Sequence, residues 1–230
     1  MNIVNPSKTR ILILQRKTFT GNGSTTAFNL GLAPASNGEF IFQGGIYQKA
    51  GTGNDYTLSG ATITFASPPA SGIVIDTRCF RAMPGLGLAR KGFVGDGATS
   101  AFVLDFVPLT NGEFVFKGGA FQKRGTGNDY TISGATITFA VAPVSSANIE
   151  ARYLKATPGL LLERESFVGD GTTLAFNTVG TSIEHGEWIF KGGLIQRSGG
   201  TSTDYIISGS TITFGSAPVT GANIEALYFW

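Results

Sequence analysis

The chain has 230 residues and a net charge of +2, which is too small to indicate a nucleic-acid partner. Its 33 glycines, its many threonines and phenylalanines and its low share of charged residues, 14%, favour short strands joined by tight turns over helices. The single cysteine excludes an intramolecular disulfide framework, and no apolar run approaches the ~20 residues of a membrane span, so no membrane insertion is expected.

A repeat of 74 residues organises the sequence. Phe19, Phe93 and Phe167 recur at this interval, and one residue is inserted in the third copy, in the segment Arg197–Thr203. The repeat divides the chain into a leader without an internal counterpart, residues 1–8, followed by three modules. Modules 1, 2 and 3 are residues 9–82, 83–156 and 157–230.

The first half of each module predicts three strands, described here for module 1. Leu12–Arg16 alternates apolar and polar residues, which is typical of a strand with one buried face. A Gly-Asn-Gly turn at Gly21–Gly23 leads to a short strand around Phe28. The pair Asn37-Gly38 predicts a second turn, and we expect the aromatic residues of the following strand, Glu39–Phe42, to face the core.

The second half of each module predicts two hairpins and a last strand. Gly44-Gly45 turns the chain into Ile46–Gln48, and the sequence Asp55–Phe65, DYTLSGATITF, reads as a hairpin around Gly60. The last strand, Ile73–Cys79, is apolar on one face and charged on the other. We therefore predict an all-β protein of three tandem small antiparallel β-sandwich modules, Ig-like or barrel-like.

The links between modules predict how they are arranged. Ala82–Gly85 and Ala156–Gly159 are short and contain proline, so we expect three modules in a row, as a stiff rod about 100 Å long. Module 1 has six basic and three acidic residues, module 2 has seven and five, and module 3 has three and seven. A rod of this kind would be electrically polar along its length.

The residues that carry enzyme chemistry are few, and the repeat explains each of them. His185 occupies a turn position that is asparagine in the other copies, and Cys79 occupies an inward position that is tyrosine in the others. Asp55, Asp129 and Asp204 precede a hairpin in each copy, where a carboxylate caps the loop backbone. The Gly-Asp-Gly turns offer too few oxygens for calcium. We expect no catalytic residues, no metal, no cofactor and no enzyme activity.

The repeat resembles a known type of module. Phe167–Phe176 reads FVGDGTTLAF and is followed by Phe-x-Gly-Gly-x-x-Gln, by Asp-Tyr-x-x-Ser-Gly-x-Thr-Ile-Thr-Phe and by a closing Ala-Pro. These strings are similar to the β-sandwich repeats of tail-fibre and other virion proteins of tailed bacteriophages, over nearly the whole of each module. The resemblance implies a virion structural protein, assembled in the host cytoplasm, that contacts other virion proteins in the tail, collar, baseplate or capsid. It leaves open a tail-fibre, collar or baseplate rod, and a capsid decoration or head-fibre protein, present as a homo-oligomer or in several copies per particle.

The unrepeated N-terminal end is the predicted virion anchor, because an unpaired edge strand can add to a partner's sheet. The candidate anchor residues are Met1, Asn2, Ile3, Val4, Arg10, Ile11, Leu12, Ile13 and Leu14.

The C-terminal end is the predicted distal contact. Phe229 and Trp230 lie there, and with the acidic charge of module 3 they suggest an alternative role in binding a receptor or glycan on the host surface. Tyr47, Phe80 and Phe121 are weaker candidates for stacking on sugars, since scattered aromatic residues of β modules more often pack in the core or between modules.

Overall fold

The computed structural model describes residues 14–81, 87–155, 161–182, 186–198 and 204–229. All regular secondary structure in this part of the chain is β-strand. The 21 strands form six antiparallel sheets of three or four strands. The predicted all-β class with three sandwich modules is confirmed. None of the described segments forms a helix long and apolar enough to cross a membrane.

Module 1 contains seven strands in two facing sheets. The four-stranded sheet has the order β1-β7-β3-β4 and the three-stranded sheet the order β2-β6-β5. The strands are β1 (Leu14–Thr20), β2 (Ala27–Asn29), β3 (Pro34–Gln43), β4 (Ile46–Tyr47), β5 (Tyr56–Ser59), β6 (Thr62–Phe65) and β7 (Val74–Arg81). Between the sheets lies an apolar core that includes Ile41, Ile63 and Ile75.

Modules 2 and 3 repeat this topology. The strands of module 2 are β8 (Leu88–Val94), β9 (Ala101–Val103), β10 (Pro108–Lys117), β11 (Ala120–Phe121), β12 (Tyr130–Ser133), β13 (Thr136–Phe139) and β14 (Asn148–Lys155). The strands of module 3 are β15 (Leu162–Val168), β16 (Ala175–Asn177), β17 (Glu187–Lys191), β18 (Leu194–Ile195), β19 (Tyr205–Ser208), β20 (Thr211–Phe214) and β21 (Asn223–Phe229).

Both predicted hairpins are present. β5 and β6 pair through Ser59 and Thr62, and Gly60 has the positive φ, 56°, that the two-residue turn requires. Gly44 and Gly45 both have positive φ, 58° and 86°, as a two-residue turn between β3 and β4 demands.

The predicted turn at Asn37-Gly38 is wrong, because these residues lie inside β3. Asn37 has a φ of 56°, and the pairing of β3 with β7 shifts register between Pro34 and Glu39. The pair therefore forms a β-bulge within one long strand. Asparagine tolerates the left-handed conformation in a bulge as well as in a turn, so the dipeptide does not distinguish the two.

The three modules share one central core, so the predicted rod is wrong. The rings of Phe40, Phe114 and Trp188, one from each module, lie 5.1 to 5.8 Å apart between centroids and form a triangle. The modules are therefore grouped around a pseudo-three-fold axis. A second layer of rings, spaced 6.0 to 6.2 Å apart, is formed by Phe42, Phe116 and Phe190.

Backbone hydrogen bonds close the ring of modules around this axis. The short strand after each glycine pair donates one bond to the glycine pair of another module, and each module both donates and accepts once. The bonds run from Tyr47 N to Gly119 O (3.0 Å), from Phe121 N to Gly193 O (2.9 Å) and from Ile195 N to Gly45 O (3.1 Å).

The two ends of the axis differ. At one end, the linker end, the first strand of each module begins beside the end of its last strand, through the pairs Leu14–Phe80, Leu88–Leu154 and Leu162–Phe229. The opposite end, the loop end, carries the glycine pairs and the turns that follow the first strands.

A scattering measurement distinguishes the ring from a row of modules. A compact body of 230 residues has a radius of gyration of about 17 Å, whereas a rod about 100 Å long gives about 30 Å. We expect small-angle X-ray scattering of the purified monomer to give the smaller value. A radius near the larger value would contradict the shared core.

Substitution of the second glycine of a pair tests the contact between modules. A Cβ on Gly119 would lie 2.4 Å from Ile46 Cγ2 and 3.0 Å from Tyr47 O of module 1, whereas one on Gly118 meets no atom within 4 Å. Both residues have positive φ, so Gly118→Ala should cost only the conformational penalty, about 1–2 kcal/mol.

Gly119→Ala should cost roughly 1–3 kcal/mol more than Gly118→Ala because it also overpacks the module interface. Urea unfolding of both variants measures the difference. Equal losses of stability would show that the neighbouring module does not press on this turn.

Candidate functional site between the modules

The charged face of each last strand is buried against a neighbouring module. Asp76, Arg78, Glu150, Arg152 and Glu225 are each at most 3% exposed. Buried charges are stable only when they are paired or hydrogen-bonded, so the contacts of these side chains define the module interfaces.

Arg152 joins module 2 to module 1. Its guanidinium donates hydrogen bonds to Tyr47 Oη (3.0 Å), to the backbone oxygen of Glu39 (2.6 Å) and to that of Asn37, and it lies over the ring of Phe40. Burial alone would lower the pKa of Arg152, but Tyr47 and Glu39 raise it above its usual value. The side chain is therefore a permanent cation held by the neighbouring module.

Arg78 plays the same part between modules 1 and 3. It donates to the backbone oxygens of Glu187 and Gln196 and to Asp76 Oδ1. Its guanidinium lies 5.9 Å from the ring of Trp188, as that of Arg152 lies over Phe40.

The equivalent residue in module 3 is Leu227, which belongs to the shared core. At the interface with module 2, module 3 instead uses Arg164, which lies in its first strand. It donates to the backbone oxygen of Glu113 and lies 3.4 Å from the Glu113 carboxylate. All three interfaces thus hold an arginine against the same backbone position, although one arginine comes from a different strand.

A tyrosine and a glutamate pair inside each module at this interface. The hydroxyl donates to the glutamate Oε1 in the pairs Tyr56–Glu39 (3.2 Å), Tyr130–Glu113 (3.1 Å) and Tyr205–Glu187 (3.0 Å). Burial raises the pKa of Tyr205 to about 12, and the nearby Glu187 carboxylate adds to this effect. Burial also raises the pKa of Tyr47, which accepts a hydrogen bond from Arg152, to about 12.

Three surface grooves run along the module interfaces beside these networks. The first groove lies between modules 1 and 2, the second between modules 2 and 3, and the third between modules 3 and 1, with volumes of about 220, 310 and 280 Å³. Each places a basic residue and a loop aspartate of one module opposite an acidic residue of the next. These residues are Lys49, Asp55 and Glu150 in the first groove, Lys123, Asp129 and Glu225 in the second, and Arg197, Asp204 and Asp76 in the third.

The first two grooves are alike and the third differs. Lys49 Nζ donates to Asn148 Oδ1 across the first groove (3.0 Å), and Lys123 Nζ donates to an equivalent asparagine across the second (3.4 Å). In the third groove Val74 occupies the asparagine position, and Arg197 pairs instead with Asp204 of its own module, 3.1 Å away.

The predicted capping role of the loop aspartates is confirmed. The backbone N–H groups of Lys49, Lys123 and Arg197 donate to Oδ2 of the aspartate six or seven residues later, at 2.7, 2.7 and 2.9 Å. The predicted burial of Cys79 is also confirmed, and burial raises the pKa of its thiol to about 12. His185 lies outside the described residues.

The predicted contact residues at the chain ends have another role or lie outside the described residues. Leu14 is only 6% exposed and belongs to the shared core, so it is not free to anchor the chain, and the other candidate anchor residues are not described. Phe229 is 2% exposed and packs edge-on against Phe80 and Trp188, so its assignment as a distal contact is wrong. Trp230 lies outside the described residues.

Aromatic residues considered for sugar stacking are buried as well. Tyr47, Phe80 and Phe121 belong to the shared core, which confirms the interpretation that they pack between modules. Tyr47 stacks on Phe116 of module 2 at 4.1 Å, and Phe121 stacks on Phe190 of module 3 at 3.9 Å.

The described segments contain no group of three or more histidine, cysteine, aspartate or glutamate residues that could hold a metal ion. In comparisons with known proteins, no family model matches the chain and no curated protein is significantly similar to it.

We expect the protein to lose stability at alkaline pH, because its buried tyrosines resist ionisation in the folded state. In the unfolded chain a tyrosine ionises near pH 10, whereas folding raises the pKa of Tyr47 and Tyr205 to about 12. The contribution of these groups to stability is complete below about pH 10 and is lost as the pH rises from about 10 to about 12.

Circular dichroism and absorbance at 295 nm, followed together from neutral to alkaline pH, measure this effect. Three of the protein's six tyrosines, Tyr56, Tyr130 and Tyr205, donate to a buried glutamate, and we expect them to ionise only as the fold is lost. Full ionisation of all tyrosines near pH 10 with an unchanged β spectrum would contradict the buried network.

Proposed function

We propose that the protein is a non-enzymatic structural component of a bacteriophage virion, part of a tail fibre, collar or baseplate. Its partners are other virion proteins, and it enters the particle during assembly in the host cytoplasm. The resemblance of the repeat to virion modules suggests this role, and the closed ring of modules is the observation that carries it.

The ring gives one chain the geometry of a symmetric trimer. Three similar modules meet through the triangle Phe40, Phe114 and Trp188 and through a closed cycle of backbone hydrogen bonds. Most protein assemblies have closed point-group symmetry, so a component with matching symmetry can meet several equivalent sites at once. A body with three similar faces is suited to a position on a three-fold or six-fold axis of a particle, where a single sandwich would meet only one of the equivalent sites.

The linker end is the end that we propose faces the virion. Leu14 lies there, so the preceding segment, which holds the other predicted anchor residues, joins the body at this end. The loop end then points away from the attachment point and carries exposed valines, among them Val144 and Val219.

Deletion of residues 1–8 tests the anchor and leaves Leu14 and the shared core in place. We expect particles made with the truncated chain to lack the protein, whereas Val219→Asp at the loop end should be incorporated normally. Mass spectrometry and immunogold labelling of purified particles give the readout. Normal incorporation of the truncated chain would overturn the anchor, and absence of the intact chain from particles would overturn the proposed function.

Immunogold labelling of the same particles also distinguishes the alternative roles. A capsid decoration or head-fibre protein would label the head in many copies, while a tail or collar component would label one vertex. The role in binding a host receptor or glycan loses the support of Phe229, which is buried in the shared core.

A further inference from the structure

We infer that the first and second grooves are sites of covalent cross-linking, in which a lysine of one module forms an isopeptide bond with an asparagine of the next. The first cross-link joins Lys49 to Asn148, and the second joins Lys123 to Asn223. Neither depends on the proposed place of the protein in a virion.

The first groove brings the reacting amine and carboxamide together. Lys49 Nζ of module 1 donates a hydrogen bond to Asn148 Oδ1 of module 2 at 3.0 Å. Because a carbonyl carbon is about 1.2 Å from its oxygen, Asn148 Cγ lies within roughly 4.2 Å of the amine, close to the separation of about 3–3.5 Å from which such groups react. The two groups need only a small side-chain rotation to meet.

Glu150 supplies the proton acceptor in this groove. A Cβ on Gly92 would lie 3.3 Å from Glu150 Oε2 and 3.4 Å from Lys49 Nζ, so both atoms border the space that this glycine leaves open. Arg90 Nε lies 3.3 Å from the other oxygen, Oε1, and Oε2 accepts no hydrogen bond. Burial raises the pKa of the Glu150 carboxyl group above its usual value although neighbouring basic side chains act against it, so Glu150 is suited to accept a proton.

The second groove repeats the arrangement with the same three residue types. Lys123 Nζ lies 3.4 Å from Asn223 Oδ1 and 3.5 Å from Glu225 Oε1. Ser166 also donates to Glu225 Oε1, at 2.6 Å, and Oε2 accepts no hydrogen bond. The side chains of Lys123 and Glu225 are 15% and 4% exposed, so the amine meets its proton acceptor with little water between them.

The third groove lacks all three groups at the equivalent positions, which hold Arg197, Val74 and Asp76. A guanidinium stays protonated and is no nucleophile, and valine has no carboxamide. Asp76 is held by hydrogen bonds from Arg16 and Arg78. Two grooves thus keep the complete set and one has none of it, a pattern that favours the lysine, asparagine and glutamate acting as a unit.

The reaction exchanges one amide for another and needs no oxidant, reductant or cofactor. The lysine ammonium passes a proton to the glutamate, and the free amine attacks the asparagine Cγ to form the new C–N bond. The glutamic acid returns the proton to Nδ2, the Cγ–Nδ2 bond breaks, and ammonia leaves. A second proton from the lysine nitrogen converts the ammonia to ammonium, and the third stays on the new amide. Each cross-link makes the chain lighter by one ammonia molecule.

The cross-links would fasten two module interfaces at the loop end, opposite the linkers. They join residues 99 and 100 positions apart in the chain. Closing loops of this length restricts the unfolded chain, so a cross-linked ring resists unfolding more than an open one.

The intact mass of the purified chain, measured after denaturation, tests the cross-links. We expect it to be lower than the mass of the sequence by two ammonia molecules. Because trypsin does not cleave after an acylated lysine, a digest should contain two branched peptides, identified by tandem mass spectrometry. A succinimide at an Asn-Gly pair also loses ammonia but leaves the peptides unbranched, so the digest distinguishes the two reactions.

Three variants test the roles of the residues. Lys49→Arg introduces the residue type of the third groove and should retain only the second cross-link. Glu150→Gln keeps the amine and the carboxamide and should slow the first cross-link by roughly a hundredfold or more, followed as the cross-linked fraction over time after purification. Lys91→Arg, which alters an ion pair with Asp105 outside the grooves, should keep both cross-links.

The mass of the unmodified chain decides the matter even if a variant fails to fold. The full sequence mass, or a mass deficit without branched peptides, would overturn the inference, and absence of either branched peptide would overturn the cross-link in that groove. An unchanged rate in Glu150→Gln would overturn the role of the glutamate. None of these results bears on incorporation into particles, so the proposed function stands or falls separately.

Discussion

The fold depends on one set of strands that is buried on both faces. In β3, Ile41 packs into the sandwich of module 1 while Phe40 and Phe42 pack into the core that the three modules share. Burying a phenylalanine side chain stabilises the fold by about 1.5–3 kcal/mol. An isolated module would expose several such side chains and lose this stabilisation for each of them. The sandwiches are therefore not independent beads. Each one supplies a third of a core that none can complete alone.

The aromatic core holds the modules together but does not fix their relative orientation. The hydrogen bonds of the buried arginines fix that orientation. Apolar contact is non-directional, whereas Arg152 bonds to fixed backbone oxygens of module 1, at Asn37 and Glu39. The bulge at Asn37 contributes to this contact, because the bulged strand presents these backbone oxygens to Arg152 of the neighbouring module. Desolvating an arginine is costly, so this contact contributes more to a unique arrangement than to stability.

The sequence predicted what local rules determine and failed where long-range packing decides. Alternation and glycine turns predicted a sandwich of six or seven short strands in each module, and they predicted the Gly60 hairpin, since a turn depends on its own few residues. The charged face with Arg78 and Asp76 resembles a solvated surface, and only its burial at 1–2% exposure reveals an interface. One signal was available: Phe40-Ile41-Phe42 is apolar at consecutive positions, a pattern that favours burial on both faces. The grooves could not be predicted, because each combines residues of two modules whose arrangement was unknown.

Joining three modules in one chain permits differences that three identical subunits could not have. Trp188 occupies one corner of the triangle whose other corners are phenylalanine, and in the same module Leu227 replaces the arginine of the other two. The larger ring and the smaller aliphatic side chain belong to one core cluster, and Arg164 restores the lost contact from another strand. The same freedom explains why Asp76 accepts hydrogen bonds from two arginines, whereas its equivalents Glu150 and Glu225 lie against Arg90 and Lys123. A homotrimer would need all three interfaces to change together, whereas here each interface can change separately while the shared core is kept.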